Sequence, residues 1–370
     1  MAEAAAFTGP LTGLRIIEVG GIGPVPVASM MLADLGADVT RIDRPADPNA
    51  LQQSDPVFRG RKSMVLNLRS SDDLGCAREL IADADVLLEG FRPGVMERLG
   101  LGPEECRKSN PRLVYGRMTG WGRQGRLAAK GGHDINYIAL TGALHAVGPH
   151  EGPPVPPLNL FGDYGGGSMM LIMGVLAALF ERSNTGAGKV VEAAMVDGAA
   201  ALMSQVYSAL TRGWWQDERQ MNMIDGGRPF YGTYRTRDNK FVALGAIEPP
   251  FFADLIKGLG LPEVYLEHQH DPNWWPAMRA DFTRKFLERD RDEWAEHFEQ
   301  FDACVTPVLS MNEAFLHPYN SERGLYQRVS GQPTSVCPVT FDGVRPVGAT
   351  VVPATGEHTP AALRRQSAKA

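Results

Sequence analysis

The feature that most constrains the fold is an alternation of strand, turn and helix patterns near the amino end. Leu14–Val19 is a short apolar run typical of a buried strand, and it leads into the glycine-rich turn Gly20–Pro24. Val27–Leu35 has helical apolar spacing and ends at a glycine, after which Asp38–Asp43 has the pattern of a second strand. This order predicts a βαβ unit of the kind that builds a parallel sheet.

The turn after the first strand differs from the dinucleotide fingerprint. In the pattern G-x-G-x-x-G, Pro26 occupies the place of the third glycine. Asp43 ends the second strand, where such folds contact a ribose, and Arg44 follows at once. An arginine there suits a ribose with an extra phosphate, so the sequence favours a phosphorylated adenosine without a second nucleotide.

Further strand and helix patterns divide the chain into domains. Ser63–Leu68, Asp85–Glu89 and Leu113–Met118 read as strands, with a helix over Asp72–Ala82. We therefore expect an α/β fold, with a Rossmann-like parallel-sheet large domain and a small α+β domain. The large domain is predicted at residues 1–200, completed by 310–370; a linker helix and loop at 201–227; and the small domain at 228–309.

Composition narrows the class of protein. A chain of 370 residues with 44% hydrophobic and 22% charged residues is typical of a soluble protein with two domains. Its net charge of -6 argues against nucleic acid or an anionic membrane as a partner. The amino end lacks a basic region followed by an apolar stretch, which predicts a cytoplasmic location. Four separated cysteines without a CxxC pair predict neither a metal site nor a disulfide framework.

Positive charge is concentrated between residues 41 and 69. This segment contains six basic residues and three acidic ones. The basic residues are Arg41, Arg44, Arg59, Arg61, Lys62 and Arg69. Arg92 follows a predicted strand, at the edge where open α/β sheets bind ligands, and its planar group suits a diphosphate. The alternatives are solvated surface side chains for the cluster, and an ordinary helix start at Pro93. An anionic ligand is the functional interpretation.

Two titratable groups are candidates for acid/base chemistry. Asp163 lies among glycines, of which Gly165 and Gly166 allow a backbone to approach a ligand closely. The apolar helix predicted at Met169–Phe180 would direct its first N–H groups toward Asp163 or toward an oxyanion, although Asp163 could equally be a capping residue. Its twelve residues are too few for a membrane span. Upstream, His133 adjoins Asp134 and offers a second proton carrier.

The motifs together resemble one family. The chain resembles the α-methylacyl-CoA racemases, a branch of the family III CoA-transferase superfamily, from Leu11 to about Leu316. The segments that carry the resemblance are Gly13–Glu18, Leu35–Val39, Phe91–Gly100, Met118–Gly122, Gly132–Tyr137, Gly162–Gly166 and Asp302–Pro307. Each is a weak match alone, and their ordered set is specific.

The resemblance implies a mechanism and an assembly. His133 and Asp163 would act on opposite faces of the α-carbon of an acyl-CoA, and Asp134 and Glu248 would orient the imidazole. The residues implied to contact the nucleotide part of CoA are Arg44, Arg59, Arg61, Lys62 and Arg92. No cofactor beyond the CoA of the substrate is implied, and no metal. An interlocked homodimer is a further property of the family.

Other functions remain open on the sequence. A CoA transferase of the same fold would use Asp163 as a nucleophile, which leaves His133 and Glu248 without a purpose. A carrier or sensor would bind acyl-CoA without turnover, and a dinucleotide oxidoreductase fits the incomplete fingerprint poorly. The acyl chain stays undetermined: Arg126 and Gly232 depart from the family's usual residues near the acyl entrance. Several methionines near the site would suit varied acyl groups, or would simply fill the core.

Overall fold

The fold is seen in a computed structural model that describes residues 9–45 and 55–360 of the chain. The terminal residues used to predict the location lie outside these ranges. The chain divides into two compact units. The first comprises Met1–Thr141, Leu158–Leu202 and Phe315–Ala370, and the second comprises Gly142–Pro157 and Met203–Ala314. The predicted linker, 201–227, therefore falls almost wholly in the second unit, together with residues 142–157.

A six-stranded parallel sheet forms the centre of the first unit, which confirms the predicted α/β class. The strands are β1 (Arg15–Val19), β2 (Asp38–Asp43), β3 (Arg61–Val65), β4 (Val86–Glu89), β5 (Val114–Thr119) and β6 (Val190–Ala194). Their order across the sheet is β3-β2-β1-β4-β5-β6. The order reverses direction between β1 and β4, which is where doubly wound sheets open a crevice for ligands.

Helices cover both faces of this sheet because successive strand residues point to opposite faces. Ile16 and Leu88 belong to one buried cluster, whereas Ile17 and Leu87 belong to the other. The helices of the unit up to β6 are α1 (Pro24–Asp34), α2 (Ser71–Ala82), α3 (Val95–Arg98), α4 (Pro103–Ser109), α5 (Asp134–Leu140) and α6 (Met170–Thr185). α7 (Met195–Leu202) follows β6 directly.

The glycine-rich segment before α6 is itself helical, which differs from the predicted loop. Leu160–Met169 forms a π-helix that continues into α6, so the helix runs from Leu160 to Thr185 over 26 residues. By length and composition alone, this helix is long and apolar enough to cross a membrane. Core helices of soluble proteins meet the same two criteria. The twelve-residue prediction was too short because the glycines were interpreted as a turn.

The second unit has an antiparallel sheet of order β7-β8-β9 with helices packed on it. Its strands are β7 (Tyr231–Arg235), β8 (Phe241–Gly245) and β9 (Val305–Pro307). Its helices are α8 (Ser204–Thr211), α9 (Pro249–Leu259), α10 (Val264–Glu267), α11 (Trp275–Phe286) and α12 (Arg291–Phe298). Phe252, Phe282 and Trp294 lie in its buried core. The helix predicted over Val196–Leu210 is divided into α7 and α8 at Met203.

The chain returns to the first unit near its carboxyl end. α13 (Met311–Leu316) and α14 (Pro318–Glu322) lead to a hairpin of β10 (Tyr326–Val329) and β11 (Gln332–Ser335). Beyond the hairpin, the N–H of His358 donates to the carbonyl of Ser63, and the N–H of Val65 donates to Thr359 Oγ1 at 2.8 Å. The edge strand β3 is thereby covered, which removes an open sheet edge.

Close contact between α7 and the π-helix depends on two glycines. A Cβ at Gly198 would collide with the backbone of Gly166, and a Cβ at Gly166 would lie 2.7 Å from the nitrogen of Ala199. We expect Gly198→Ala to lower the free energy of unfolding by about 2 kcal/mol, because neither helix backbone can move without repacking. Urea denaturation measures this.

Gly75→Ala is the matched control for that substitution. Gly75 lies inside α2 with no atom within 4 Å of its Cβ position. There the change should be neutral or stabilise by up to about 1 kcal/mol, through helix propensity. Equal effects at the two glycines would contradict the close helix contact.

Candidate active site

A cavity of about 330 Å³ opens at the carboxyl edge of the sheet. Its wall is formed by the turn after β1, the segment after β4, the loop after β5 and the π-helix. His133 and Asp163 both line it. The structure thus brings together the two residues that the sequence singled out for proton transfer.

Asp163 is half-buried beside the first turn of α1. Its Oδ2 lies 3.9 Å from the position that a Cβ of Gly23 would occupy, and it accepts a hydrogen bond from Asn159 Nδ2 at 3.3 Å. Burial raises the pKa of the Asp163 carboxyl above its ordinary value, and the Asp134 charge adds to this. The Asn159 hydrogen bond and the nearby His133 act in the opposite direction. A raised pKa suits a carboxyl that must both hold and release a proton.

His133 is exposed and precedes the first residue of α5. Its backbone N–H donates to Asn136 Oδ1 at 3.0 Å, which caps the helix start. Tyr137 is buried, and its hydroxyl donates to the carbonyl of Gly132 at 2.5 Å. The Tyr137 ring packs edge-on against Trp121, with centroids 4.8 Å apart. These contacts fix the backbone on both sides of the imidazole.

Asp134 has a different contact from the one that the resemblance implied. Its side chain is buried, and Oδ2 accepts from the N–H groups of Gly162 at 2.6 Å and Asp163 at 2.7 Å. Within the described residues, the imidazole of His133 donates no hydrogen bond to Asp134. Asp134 therefore joins the segment of His133 to the segment of Asp163 through backbone hydrogen bonds, and a role in orienting the imidazole stays a prediction.

The glycine amides are not arranged as predicted. The N–H groups of Gly162 and Asp163 are already engaged by Asp134 and are not free for an oxyanion. A Cβ at Gly165 would lie 3.0 Å from Leu202 Cδ1, and Gly166 contacts the backbone of α7. Neither glycine lines the cavity of His133 and Asp163. Both glycines serve helix packing, and their predicted ligand contact stays a prediction.

A second cavity of about 660 Å³ lies at the same edge of the sheet. Arg44 follows β2, Arg69 follows β3 and Arg92 follows β4, and all three exposed side chains line it. The Arg44 guanidinium lies 5.7 Å from the centre of the Phe91 ring. Within residues 9–45 and 55–360, none of the three guanidinium groups forms an ion pair. Three cations around one cavity, which Asp43 and Asn67 also line, suit a nucleotide with several phosphate groups.

Phe91 and Arg92 line both cavities and so form a shared wall. Arg69 belonged to the basic cluster but was not singled out from the sequence. The signal was present, because Arg69 follows a strand in the same way as Arg44 and Arg92. Asn159 was also missed, since its spacing of four residues from Asp163 has meaning only once that segment is helical.

The remaining residues of the basic cluster have other functions. Arg59 is fully buried and pairs with Asp34 at 2.6 Å, and the buried Arg61 pairs with Glu18 at 2.7 Å. Lys62 pairs with Asp38 at 2.8 Å, at the amino end of β2 and therefore at the opposite edge of the sheet. Each already has a carboxylate partner and lines neither cavity, so this geometry gives their predicted contact with CoA no support, and the contact stays a prediction.

Glu248 lies in the second unit, at the residue before α9. The charge of Glu248 contributes to the raised pKa of the Cys304 thiol, after burial and Asp302. Gly232 lies on β7 of the same unit. The predicted roles of Glu248 and Gly232 stay predictions. Among the methionines flanking the site, Met118 and Met195 line the first cavity.

No group of three or more metal-binding side chains occurs in the described part of the chain. The fold and the site define an α/β protein whose parallel sheet presents a histidine and an aspartate in one cavity, beside a second cavity lined by arginines.

Comparison with known proteins agrees with this class. The CoA-transferase family III profile matches residues 11–359. α-Methylacyl-CoA racemase of Mus musculus is 42% identical over 356 residues, covering 96% of this chain and 92% of that protein. The Homo sapiens α-methylacyl-CoA racemase is 45% identical over 316 residues, with 85% and 82% covered. A crystal structure of a hypothetical Mycobacterium tuberculosis protein has a TM-score of 0.79 at 26% identity, covering 97% and 99%. The chain belongs to the CoA-transferase family III.

The raised pKa of Asp163 predicts a pH-dependent effect of Asp163→Asn. Burial favours the protonated carboxyl, so the folded wild type binds more protons than the unfolded chain between the ordinary and the raised pKa. Wild-type stability therefore falls as pH rises through that interval, whereas asparagine has no charge to lose. We expect the variant to gain stability relative to the wild type at neutral pH, and this gain to vanish below the ordinary pKa of 3.8.

Urea denaturation of both proteins across this pH range measures the difference. Asp72→Asn is the control, because Asp72 is exposed on the first turn of α2, away from both cavities. A relative gain that instead increases toward acid pH would contradict the burial effect at Asp163.

Proposed function

We propose that the protein is an α-methylacyl-CoA racemase, an isomerase that inverts the 2-position of 2-methyl-branched acyl-CoA thioesters. The observation that carries the proposal is the placement of His133 and Asp163 in one cavity beside the arginine-lined second cavity. The identity to racemases of mouse and human over most of the chain supports the same reaction.

The chemistry requires a base, an acid and a place for negative charge. A thioester acidifies its α-hydrogen, but removal of that hydrogen still requires a base in contact and stabilisation of the enolate. We assign the two proton transfers to His133 and Asp163, which would act on opposite faces and exchange roles with the handedness of the substrate. The amino end of α1 lines the cavity and favours negative charge there.

Binding of the nucleotide part of CoA is assigned to Arg44, Arg69 and Arg92. Remote binding of this kind holds the reacting carbon in place and contributes to the chemical step. We retain Glu248 as a residue that orients the imidazole, on the basis of the family resemblance. No cofactor beyond the CoA of the substrate is required by this mechanism. We place the activity in lipid metabolism in the cytoplasm.

The acyl chain is left open between branched fatty acyl, steroid side-chain and arylpropionyl groups. Met118 and Met195 offer flexible apolar contacts in the cavity, which supports tolerance for several chains. Arg126 and Gly232 are proposed to influence this range.

A CoA transferase is the second candidate, because the family includes that reaction in its name. The Asp163 carboxylate would then attack the thioester carbonyl, break its C–S bond and release CoA thiolate, which leaves an acyl anhydride on the enzyme. The shared cavity of His133 and Asp163 favours proton transfer, since a transferase needs no imidazole there.

Incubation in deuterated water separates the two reactions. We expect the wild type to incorporate solvent deuterium at the α-position of a 2-methylacyl-CoA without any acceptor acid. NMR or mass spectrometry measures this incorporation. His133→Ala and Asp163→Asn should each lower racemisation at least about a hundredfold, because each removes one proton carrier. Asp72→Asn, at an exposed residue of α2 that lines neither cavity, is the control and should retain racemisation. Wild-type exchange that requires an added acid, or racemisation that survives either substitution at the wild-type rate, would contradict the proposal.

We also propose an interlocked homodimer in which the small domain of one subunit closes the active site of the other. An apolar face on α6 supports an interface, since Met173 is 62% exposed and Phe180 is 74% exposed. They lie seven residues apart and therefore on one side of the helix. We propose that a second subunit covers this face and that no membrane does, because the same helix carries Asp163.

The double substitution Met173→Glu and Phe180→Glu should convert the dimer to a monomer, because two buried charges at an interface lack partners. Sedimentation equilibrium at micromolar concentration measures the mass. Leu287→Glu changes an exposed residue of the second unit and is the control. A wild type that sediments as a monomer would contradict the proposed assembly.

A further inference from the structure

Phe91 and Arg92 separate the cavity of His133 and Asp163 from the arginine-lined cavity, because they line both. They follow β4 after one residue, Gly90. The position of Phe91 and Arg92 therefore determines where the reacting end of a bound thioester lies relative to its nucleotide end. The residues that hold the wall are therefore candidates for a part in the reaction, although they line neither cavity.

A buried carboxylate holds the wall from below. Glu89, the last residue of β4, is 3% exposed, and its Oε2 accepts from the N–H of Phe91 at 2.8 Å. Its Oε1 accepts from Arg117 Nε at 3.2 Å. Arg117 is the partner of Glu89 in the β4–β5 register and is also 3% exposed. Both oxygens of Glu89 are thus used, one on the wall and one on the neighbouring strand.

Arg117 extends this contact to the loop after β5. Its Nη2 donates to Glu97 of α3 at 2.8 Å, and Arg123 Nη2 donates to the same oxygen at 3.1 Å. Arg123 also pairs with Glu192 of β6 at 3.0 Å. The loop that carries Arg123 provides Trp121 and other residues to the first cavity. One set of ion pairs therefore joins the shared wall to the loop that leads to His133.

Stability alone is a poor reason for such a set. The cost of removing two charges from water offsets most of the attraction in a buried ion pair. Apolar residues in place of the pair would therefore stabilise the sheet to a similar extent. Ion pairs with directional hydrogen bonds do, however, fix the relative positions of the segments that they join, and they do so more strictly than apolar packing.

We propose that Glu89 and Arg117 are positioning residues that hold the Phe91–Arg92 wall, so that nucleotide binding places the thioester between His133 and Asp163. This inference rests on the proposed function and deepens it. Because these ion pairs fix the wall, binding of the nucleotide at the arginine-lined cavity also fixes the position of the α-carbon.

The test compares two substrates of the same acyl group. One is the full 2-methylacyl-CoA, and the other is the 2-methylacyl pantetheine thioester, which lacks the nucleotide. In Glu89→Gln the amide oxygen can accept from only one of the two donors, and the amide nitrogen faces Arg117 or Phe91 unfavourably. We expect kcat/KM for the CoA thioester to fall roughly tenfold, mainly through kcat, and that for the pantetheine thioester to fall less than about twofold.

Asp34→Asn is the matched control, because it weakens another buried ion pair, that of Asp34 with Arg59, which lines neither cavity. It should lower the melting temperature and leave the advantage of CoA over pantetheine unchanged. If Glu89→Gln lowers kcat/KM equally for both substrates, or for neither, the positioning role is overturned. If that variant does not fold, Glu97→Gln decides: Glu97 is partly exposed and links Arg117 with Arg123, so a smaller loss confined to the CoA thioester is expected.

Failure of the proposed function is visible separately. A wild type without α-proton exchange on either substrate would overturn the racemase proposal itself. A wild type that exchanges both substrates equally well would leave the reaction intact and overturn only the positioning inference.

Discussion

The arrangement of the site depends on one carboxylate oxygen, Asp134 Oδ2, and the two N–H groups that donate to it. A buried carboxylate is costly unless it is hydrogen-bonded, so its position is tightly restricted once Gly162 and Asp163 donate to it. Because Asp134 follows His133 in the chain, the same bonds limit the separation of imidazole and carboxyl. Gly162 must lack a side chain, since a Cβ there would lie 2.8 Å from this oxygen.

The π-helix and the glycines follow from the same requirement. A π-helical segment is uncommon and is frequently found at functional sites. Here it brings Asp163 to the cavity, while Gly166 and Gly198 let α7 approach closely enough for Met195 to form part of the wall. The buried Ser168 hydroxyl donates to the carbonyl of Pro24 at 2.7 Å, which joins the π-helix to the first turn of α1. Glycine conformational freedom is used for packing between backbones.

The sheet and the meeting of His133 and Asp163 in one cavity were predictable from the sequence, whereas the pairing of charges was not. Apolar runs at the first five strands are strong local signals, and a histidine and an aspartate among glycines indicate chemistry. Arg59 and Arg61 resembled ligand contacts because their partners, Asp34 and Glu18, lie 25 and 43 residues away in the chain. Charge patterns contain no information on such distant pairs. The π-helix was missed because glycine has low helix propensity and the contacts that stabilise it are tertiary.

Exchange of the α-proton measured separately from each enantiomer of a 2-methylacyl-CoA tests the central claim, that His133 and Asp163 serve opposite faces of one carbon. If they do, His133→Ala should lose exchange from one enantiomer and retain it from the other in deuterated water. Asp163→Asn should show the reverse selectivity. Loss from both enantiomers to the same extent in each variant would contradict a two-sided site.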